Sequence, residues 1–225
     1  MARPEPYVLP DVLQPGLDVV FCGTAPSLTS ARVRAYYGNP QNRFWPTLHE
    51  VGLTPRLVAP EDYVFILRYG LGLTDVCKTA KGMDAKIPRH AFDPAMLWRK
   101  IGVYRPARLA FTSLRAAREG LEPFDVHVGA AIVDLGVHQG RDAALDRFVF
   151  LRHGLLRRDR GLSYGSIGTF NHADVWVMPS TSPAARPHFQ IAPWRALAHD
   201  VSNGYQKDVK RVSKGGQERT SRGHT

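Results

Sequence analysis

The sequence predicts an α/β fold, a three-layer α/β/α sandwich around a central, mainly parallel sheet. Three observations carry this. Apolar runs too continuous for half-exposed strands recur at 17–23, 107–112 and 174–178, as buried parallel strands require. Capped or periodic helical segments lie between them, so strands and helices alternate. The first and last runs each stop in a small-residue turn containing proline, Thr24-Ala-Pro-Ser27 and Pro179-Ser-Thr-Ser-Pro183. Ligands of open α/β sheets bind beyond the carboxyl ends of the strands, so these two turns are expected to wall one narrow slot.

Taken in order, residues 1–16 are rich in proline and are expected to form an extended N-terminal arm. The main domain is expected over 17–202, opening with the strand Leu-Asp-Val-Val-Phe-Cys-Gly at 17–23. Asn42 to Val51 reads as a helix, with Pro46 tolerated in its first turn and Phe44, Leu48 and Val51 at helical spacing. Tyr63 to Gly70 fits strand or helix equally, and a short apolar segment follows at 71–77. Asp93 to Tyr104 reads as a helix with an Asp cap, Pro94 at the first position and Met96, Leu97 and Ile101 inward. The run at 107–112 is a further buried strand, and Ser113 is placed to cap a helix reaching Leu121. From 122 to 164 the pattern fits an insertion or a loop, strand-like at 130–135 and then heavily charged through Arg157-Arg-Asp-Arg160. The last strand is read at 174–178 and the closing helix at 192–201. Residues 203–225 are basic and nearly devoid of apolar side chains, the composition of a disordered tail.

The 225 residues suffice for one domain with a sizeable core. Thirty Lys and Arg against twenty Asp and Glu give a net charge of +10. Such a surplus favours polyanionic partners, whether nucleic acid or anionic lipid; the plainer alternative is a generally basic soluble protein. No window has the length or apolarity of a membrane span and the N-terminus lacks a leader's apolar core, so a cytoplasmic protein is expected, with no membrane partner. Cys22 and Cys77 lie inside apolar runs and read as buried thiols; no Cys/His spacing suggests a metal. A serine hydrolase built on Ser180 or Ser182 has no GxSxG elbow to support it.

Four segments, in this order, resemble the mismatch-specific thymine/uracil DNA glycosylases of the uracil-DNA glycosylase superfamily. They are Leu17 through Gly23-Thr-Ala-Pro-Ser27, Tyr37-Gly-Asn-Pro-Gln-Asn-Arg-Phe-Trp45, Tyr69-Gly-Leu-Gly-Leu-Thr-Asp75 and Val177-Met-Pro-Ser-Thr-Ser182. The resemblance spans roughly 10 to 200, apart from 122–164. It implies a uracil-DNA glycosylase-like fold and excision of uracil, or thymine opposite guanine, by hydrolysis of the N-glycosidic bond. It further implies action as a monomer on single- or double-stranded DNA, release of free uracil, and no cofactor or metal. Such an enzyme must flip the nucleotide out of the stack, then stabilise an oxocarbenium-like sugar and a departing base anion.

The resemblance also assigns roles. The turn Gly23, Thr24, Ala25, Pro26 and Ser27 is implied to line the base pocket. The family's Gly-Ile-Asn-Pro-Gly pattern places water with its Asn, and Ala25 stands at that position here; alanine can neither donate to a water nor accept from one. Asp75 is therefore the candidate catalytic residue, a carboxylate able to take a proton from water; the alternative is a strand-end Asp capping backbone amides. Tyr37 aligns with the aromatic that stacks on the flipped base, with Tyr36 the competing choice. Asn42 either reads the uracil edge or caps its helix, the cap being favoured, and Phe44 and Trp45 read as core. The 179–186 loop resembles the segment that enters the minor groove: Ser180, Thr181 and Ser182 suit phosphate contacts, the wedge is Ala184 or Arg186, and the other reading of Arg186 is a grip on phosphate. Ser113 is expected to face DNA backbone as well as cap its helix. Lys78 and Lys81 are expected to be solvated, where phosphates would pass.

Overall fold

Five strands form one sheet, and their order explains where the chemistry gathers. The computed structural model describes residues 7–121, 164–170 and 172–204. Its strands are β1 (Val19–Gly23), β2 (Leu71–Asp75), β3 (Arg108–Phe111), β4 (Gly165–Phe170) and β5 (Ala173–Val177). They lie in the order β2-β1-β3-β5-β4. All neighbours pair in parallel except β4, which runs antiparallel to β5.

Successive side chains of a strand face opposite sides of a sheet, and here both sides are dry. Val19 and Phe21 enter one core with Leu71, Leu73, Ala110 and Trp176. Val20 and Cys22 enter the other with Leu109, Phe111, Val175 and Val177. The helices divide accordingly. On the first face pack α2 (Phe44–Glu50), the 3-10 helix Pro60–Tyr69 and a closing helix, α5, over 192–204. On the second pack α3 (Pro94–Tyr104) and α4 (Leu114–Leu121). A short α1 (Leu28–Val33) follows the turn after β1. The three expected layers are present. The β1–β2 connection covers one face and the β2–β3 connection the other, so the chain switches direction at β1. That switch point is where open α/β sheets bind ligands.

Several readings are refined. The first strand starts at Val19 rather than Leu17, and the ambiguous stretch before Gly70 is a 3-10 helix, begun by Pro60 and closed by Gly70 at φ 70°. Asp93 caps α3 as expected, its side chain accepting from Met96 N at 2.8 Å. Met96, expected inward, is only half-buried; Trp98 fills that face and donates to Gly120 O at 2.7 Å. The edge strand β4 carried no apolar run: Gly165 and Gly168 both have positive φ, and the register shifts between Ser166 and Gly168. Glycine inside a strand often marks such an irregularity. Of the arm, residues 7–16 are described, and they are docked: Leu9 and Val12 are buried, and Val12 bridges antiparallel to Leu73. The readings at 122–163, including the strand-like 130–135 and the charged tract, lie outside the described residues, as does the tail from 205.

Candidate active site

A cavity of about 520 Å3 opens at the carboxyl end of the sheet, between the turn after β1 and the loop after β5. Gly23, Thr24, Ala25, Pro26, Ser27, Tyr37, Asn42, Asp75, Ser113, Ser180, Thr181, Ser182 and Ala184 all line it. The two proline turns therefore do form walls of one slot. Thr112 and Ser113, beyond β3, complete the wall between them.

Asp75 is the last residue of β2 and pairs in register with Gly23, the last of β1. Partner residues of neighbouring strands project to the same face, so the carboxylate leans over the glycine. A β-carbon built on Gly23 would collide with Asp75 Oδ1, and the Tyr37 hydroxyl would be 3.6 Å from it. Asp75 is 5% exposed, and its Oδ2 has no hydrogen-bond partner in the described protein. Among the described residues, Lys78 Nζ is paired with it, 3.9 Å from Oδ2. Burial pushes the Asp75 pKa up, against the pull of Lys78; Asp11 raises it further, the Tyr36 hydroxyl and Lys100 lower it, and the result is about 6. No backbone amide donates to this carboxylate among the side-chain hydrogen bonds of the described residues, so the cap reading of Asp75 has no support.

Tyr37 stands at φ 52°, a left-handed backbone uncommon for an aromatic residue. The reversal sends consecutive tyrosines to different partners. Tyr36 is buried and accepts from Lys78 Nζ at 2.7 Å, while the Tyr37 hydroxyl bonds Thr112 Oγ1 at 3.0 Å. The Tyr37 ring is stacked on Phe44 with centroids 3.7 Å apart and planes 14° from parallel. Phe44 in turn packs edge-on against Phe21, Trp45 and Trp194. Trp194 donates to Pro179 O at 3.2 Å and Trp45 to Tyr36 O at 3.0 Å. One buried aromatic cluster thus fixes both the tyrosine wall and the start of the serine loop. Phe44 and Trp45 are core, as expected. Asn42 Oδ1 accepts from Phe44 N at 2.9 Å, so it serves the helix start, and the residue also lines the cavity.

The remaining polar groups are largely committed to one another. Thr24 Oγ1 donates to Asp84 Oδ2 at 3.0 Å and lies 3.2 Å from Ser113 Oγ, which accepts from Ala116 N as the cap of α4. Ser180 Oγ donates to Ser182 Oγ at 3.2 Å, and the buried Thr181 accepts at its carbonyl from Arg43 N at 3.0 Å. Ala184 sits exposed at the rim and Arg186 lies outside the lining, in the 3-10 helix Pro183–His188.

Lys78 requires a correction. It is not solvated: it is 5% exposed and bound to Asp11 Oδ1 at 2.8 Å and to the Tyr36 hydroxyl. Its ammonium is engaged by protein groups, where a solvated side chain was expected. Lys81, by contrast, is exposed. Sequence reasoning also missed Asp11, Leu28, Thr112, Met83 and Asp84. Thr112 was detectable as the residue that ends its strand run. For Asp84 and Met83, in a loop of 3-10 turns, no pattern in the chain pointed to the cavity. Among the described residues no group of three or more His, Cys, Asp or Glu side chains is placed to hold a metal, and no helix is long and apolar enough to cross a membrane.

The family model of the uracil DNA glycosylase superfamily matches residues 10–198. A candidate uracil DNA glycosylase from Methanosarcina acetivorans, solved in solution by NMR, is similar in structure with a TM-score of 0.52 at 21% identity. The match covers 86% of this chain and 96% of that one. At that identity the likeness is one of fold.

Proposed function

Because the chain belongs to the uracil DNA glycosylase superfamily, we propose that it hydrolyses the N-glycosidic bond of uracil in DNA, with Asp75 activating the attacking water. The observation that carries this reading is the Asp75 carboxylate itself: buried at the floor of the cavity, with one oxygen unpartnered, beside the glycine that leaves room for it. A base with a pKa near the operating pH is the most effective proton acceptor, and about 6 is close to neutral.

In this mechanism the flipped uracil stacks on the face of Tyr37 opposite Phe44. The amide nitrogen of Asn42 donates to a uracil carbonyl and favours the base as its charge develops. The C1′–N1 bond breaks with its electron pair going to uracil. Water adds to C1′ and its proton passes to Asp75, leaving an abasic sugar and a uracil anion; the anion takes up a proton from solvent as it leaves, and Asp75 returns its own to solvent. A negative carboxylate near C1′ also stabilises the cationic sugar before water arrives. Exposed Arg32, Arg34, Arg43, Lys81 and Lys86 flank the lining segments and would meet the DNA backbone. Membership of the mismatch-specific branch, with thymine opposite guanine as a second substrate, is part of the same proposal.

The test is single-turnover incubation with a uracil-containing oligonucleotide, followed by alkaline cleavage of abasic product. Product from wild type, reduced at least a hundredfold in Asp75→Asn, supports the assignment. Ala25 favours a second reading, a protein that binds uracil or abasic sites without cutting. Tight binding to such DNA with no product over hours would select it.

A further inference from the structure

Behind the cavity lies a buried chain of charges that the reaction itself does not consume. Asp11 belongs to the extended segment that docks beside β2, and it accepts from three groups. Thr74 Oγ1 donates to its Oδ1 at 2.7 Å, Lys78 Nζ binds the same oxygen at 2.8 Å, and Lys100 Nζ, from α3, binds Oδ2 at 2.6 Å. Lys78 gives a further hydrogen to the Tyr36 hydroxyl at 2.7 Å. With two of its three donors spent in good geometry, it stops 3.9 Å short of Asp75 Oδ2. The Lys78 ammonium is therefore shared, and the larger share goes to Asp11.

We infer that Asp11 is a positioning residue for the pocket: it holds Lys78 off Asp75, so that the carboxylate feels a nearby cation without being pinned by it and remains able to accept from water. The inference rests on the proposed role of Asp75. A carboxylate alone in this site would be neutral over much of the physiological range, because burial disfavours charge. One in direct contact with lysine would be a weak base with its lone pairs occupied. Asp11 sets the point between these extremes.

The other groups around Asp75 do not offer the same control. Lys100 lowers its pKa and Asp11 raises it; the Tyr36 hydroxyl stabilises the charged form. Cys22 on β1, Cys77 just beyond β2, and Tyr37 are themselves pushed up by burial, with Asp75 adding to the shift, and so stay neutral. Asp84 is engaged by the Thr24 hydroxyl, which donates to its Oδ2 at 3.0 Å. Among the described residues Asp11, Lys78 and Lys100 carry the charges that set the balance; the Tyr7 ring lies against both lysines, and Asp11 is the carboxylate that binds both.

The experiment follows the Asp75 carboxyl by 13C NMR titration in the full-length protein, free of DNA, for wild type, Asp11→Asn and Lys100→Gln. Asp11→Asn keeps the shape and removes the charge, so Lys78 turns to Asp75 and its titration midpoint falls by about one pH unit. Lys100→Gln, on a side chain at the edge of the network, moves the midpoint upward and serves if Asp11→Asn does not fold. In single-turnover assays the acidic limb of the rate profile should move with each midpoint, while KM for the oligonucleotide is unchanged and kcat at neutral pH falls in Asp11→Asn. An Asp75 midpoint that stays put in both variants, or that rises in Asp11→Asn, overturns the inference. Midpoints that move as stated in a protein releasing no uracil would overturn the glycosylase reading and leave the charge arrangement standing.

Discussion

Asp75 and Gly23 end adjacent parallel strands in register, and the carboxylate of one occupies the space a β-carbon of the other would need. The glycine is required by that close approach and not by its backbone, since its φ is not among the positive ones. Gly23→Ala should therefore fold, because the group it meets is the movable end of a side chain. Asp75 should swing aside and single-turnover uracil release should drop at least tenfold, a small displacement of a catalytic group being enough for that. Circular dichroism checks the fold, and unchanged turnover would show that the observed Asp75 position is not the working one.

Burying the Asp75 carboxylate costs the protein stability at neutral pH. Its pKa is raised from 3.8 to about 6. Below the lower value both folded and unfolded chains hold the proton and there is no effect. As pH rises toward about 6 the unfolded chain has ionised first, so folding is progressively disfavoured; above that the penalty is constant at about 3 kcal/mol. Asp75→Asn should then be more stable than wild type at pH 7.5 by up to that amount, which already includes the attraction of Lys78 for the carboxylate. The gain should shrink as pH falls through the same window. Urea midpoints at several pH values measure it, and a destabilised variant at neutral pH would contradict the buried charge.

How far these residues were legible beforehand depended on whether their role was local. The strands β1, β3 and β5 announced themselves because burial on both faces leaves continuous apolar runs, and Asp93 and Ser113 because caps are read from one or two positions. The cavity walls at 23–27 and 180–184 followed from strand ends. Asp11 did not, because its meaning comes from Lys78, 67 positions away in the chain, and from Lys100 beyond that. Lys78 was misplaced for the same reason: a lysine three residues after a strand reads as solvated unless the partners that neutralise it are known. The edge strand β4 hid because pairing on one side only, with two glycines and a register shift, leaves little hydrophobic pattern.

Tyr37 separates two contributions that one substitution would merge. Tyr37→Phe removes only the bond to Thr112 Oγ1, a loss on the order of 1 kcal/mol, and the ring should remain stacked on Phe44. Tyr37→Ala removes the stacking surface, worth ~1–3 kcal/mol per base. The expected pattern is a small change in KM for the first and roughly a ten- to hundredfold rise for the second. Equal effects from both variants would mean that the hydroxyl, not the ring, is what the substrate meets.

DNA binding outside the pocket should be electrostatic and countable. Lys81 and Arg186 are exposed beside the mouth, whereas Lys78 is spoken for inside. Removing one cation from a phosphate should reduce the slope of log affinity against log salt by about 0.9 for duplex DNA. Lys81→Ala and Arg186→Ala are each expected to flatten the slope by about that amount, with single-turnover rates at saturating enzyme unchanged. Fluorescence anisotropy on an abasic duplex across a salt series measures it. An unaltered slope removes the residue from the DNA-facing surface.

Ala25 offers the sharpest check on how water is handled. It is half-buried and lines the cavity two residues beyond the Gly23 carbonyl that receives Val76 N at 2.9 Å, so a side chain there projects from a turn held by the strand ends. An asparagine at 25 would place in the turn an amide able to accept from and donate to a water. If Asp75 has taken over that work, the two positions are alternative holders of one molecule. Ala25→Asn alone should then change little, while Ala25→Asn added to Asp75→Asn should recover at least tenfold of the lost single-turnover rate. Such non-additivity is what a shared function produces. A double variant as inactive as Asp75→Asn would mean that the carboxylate contributes its charge to the sugar rather than its lone pair to water.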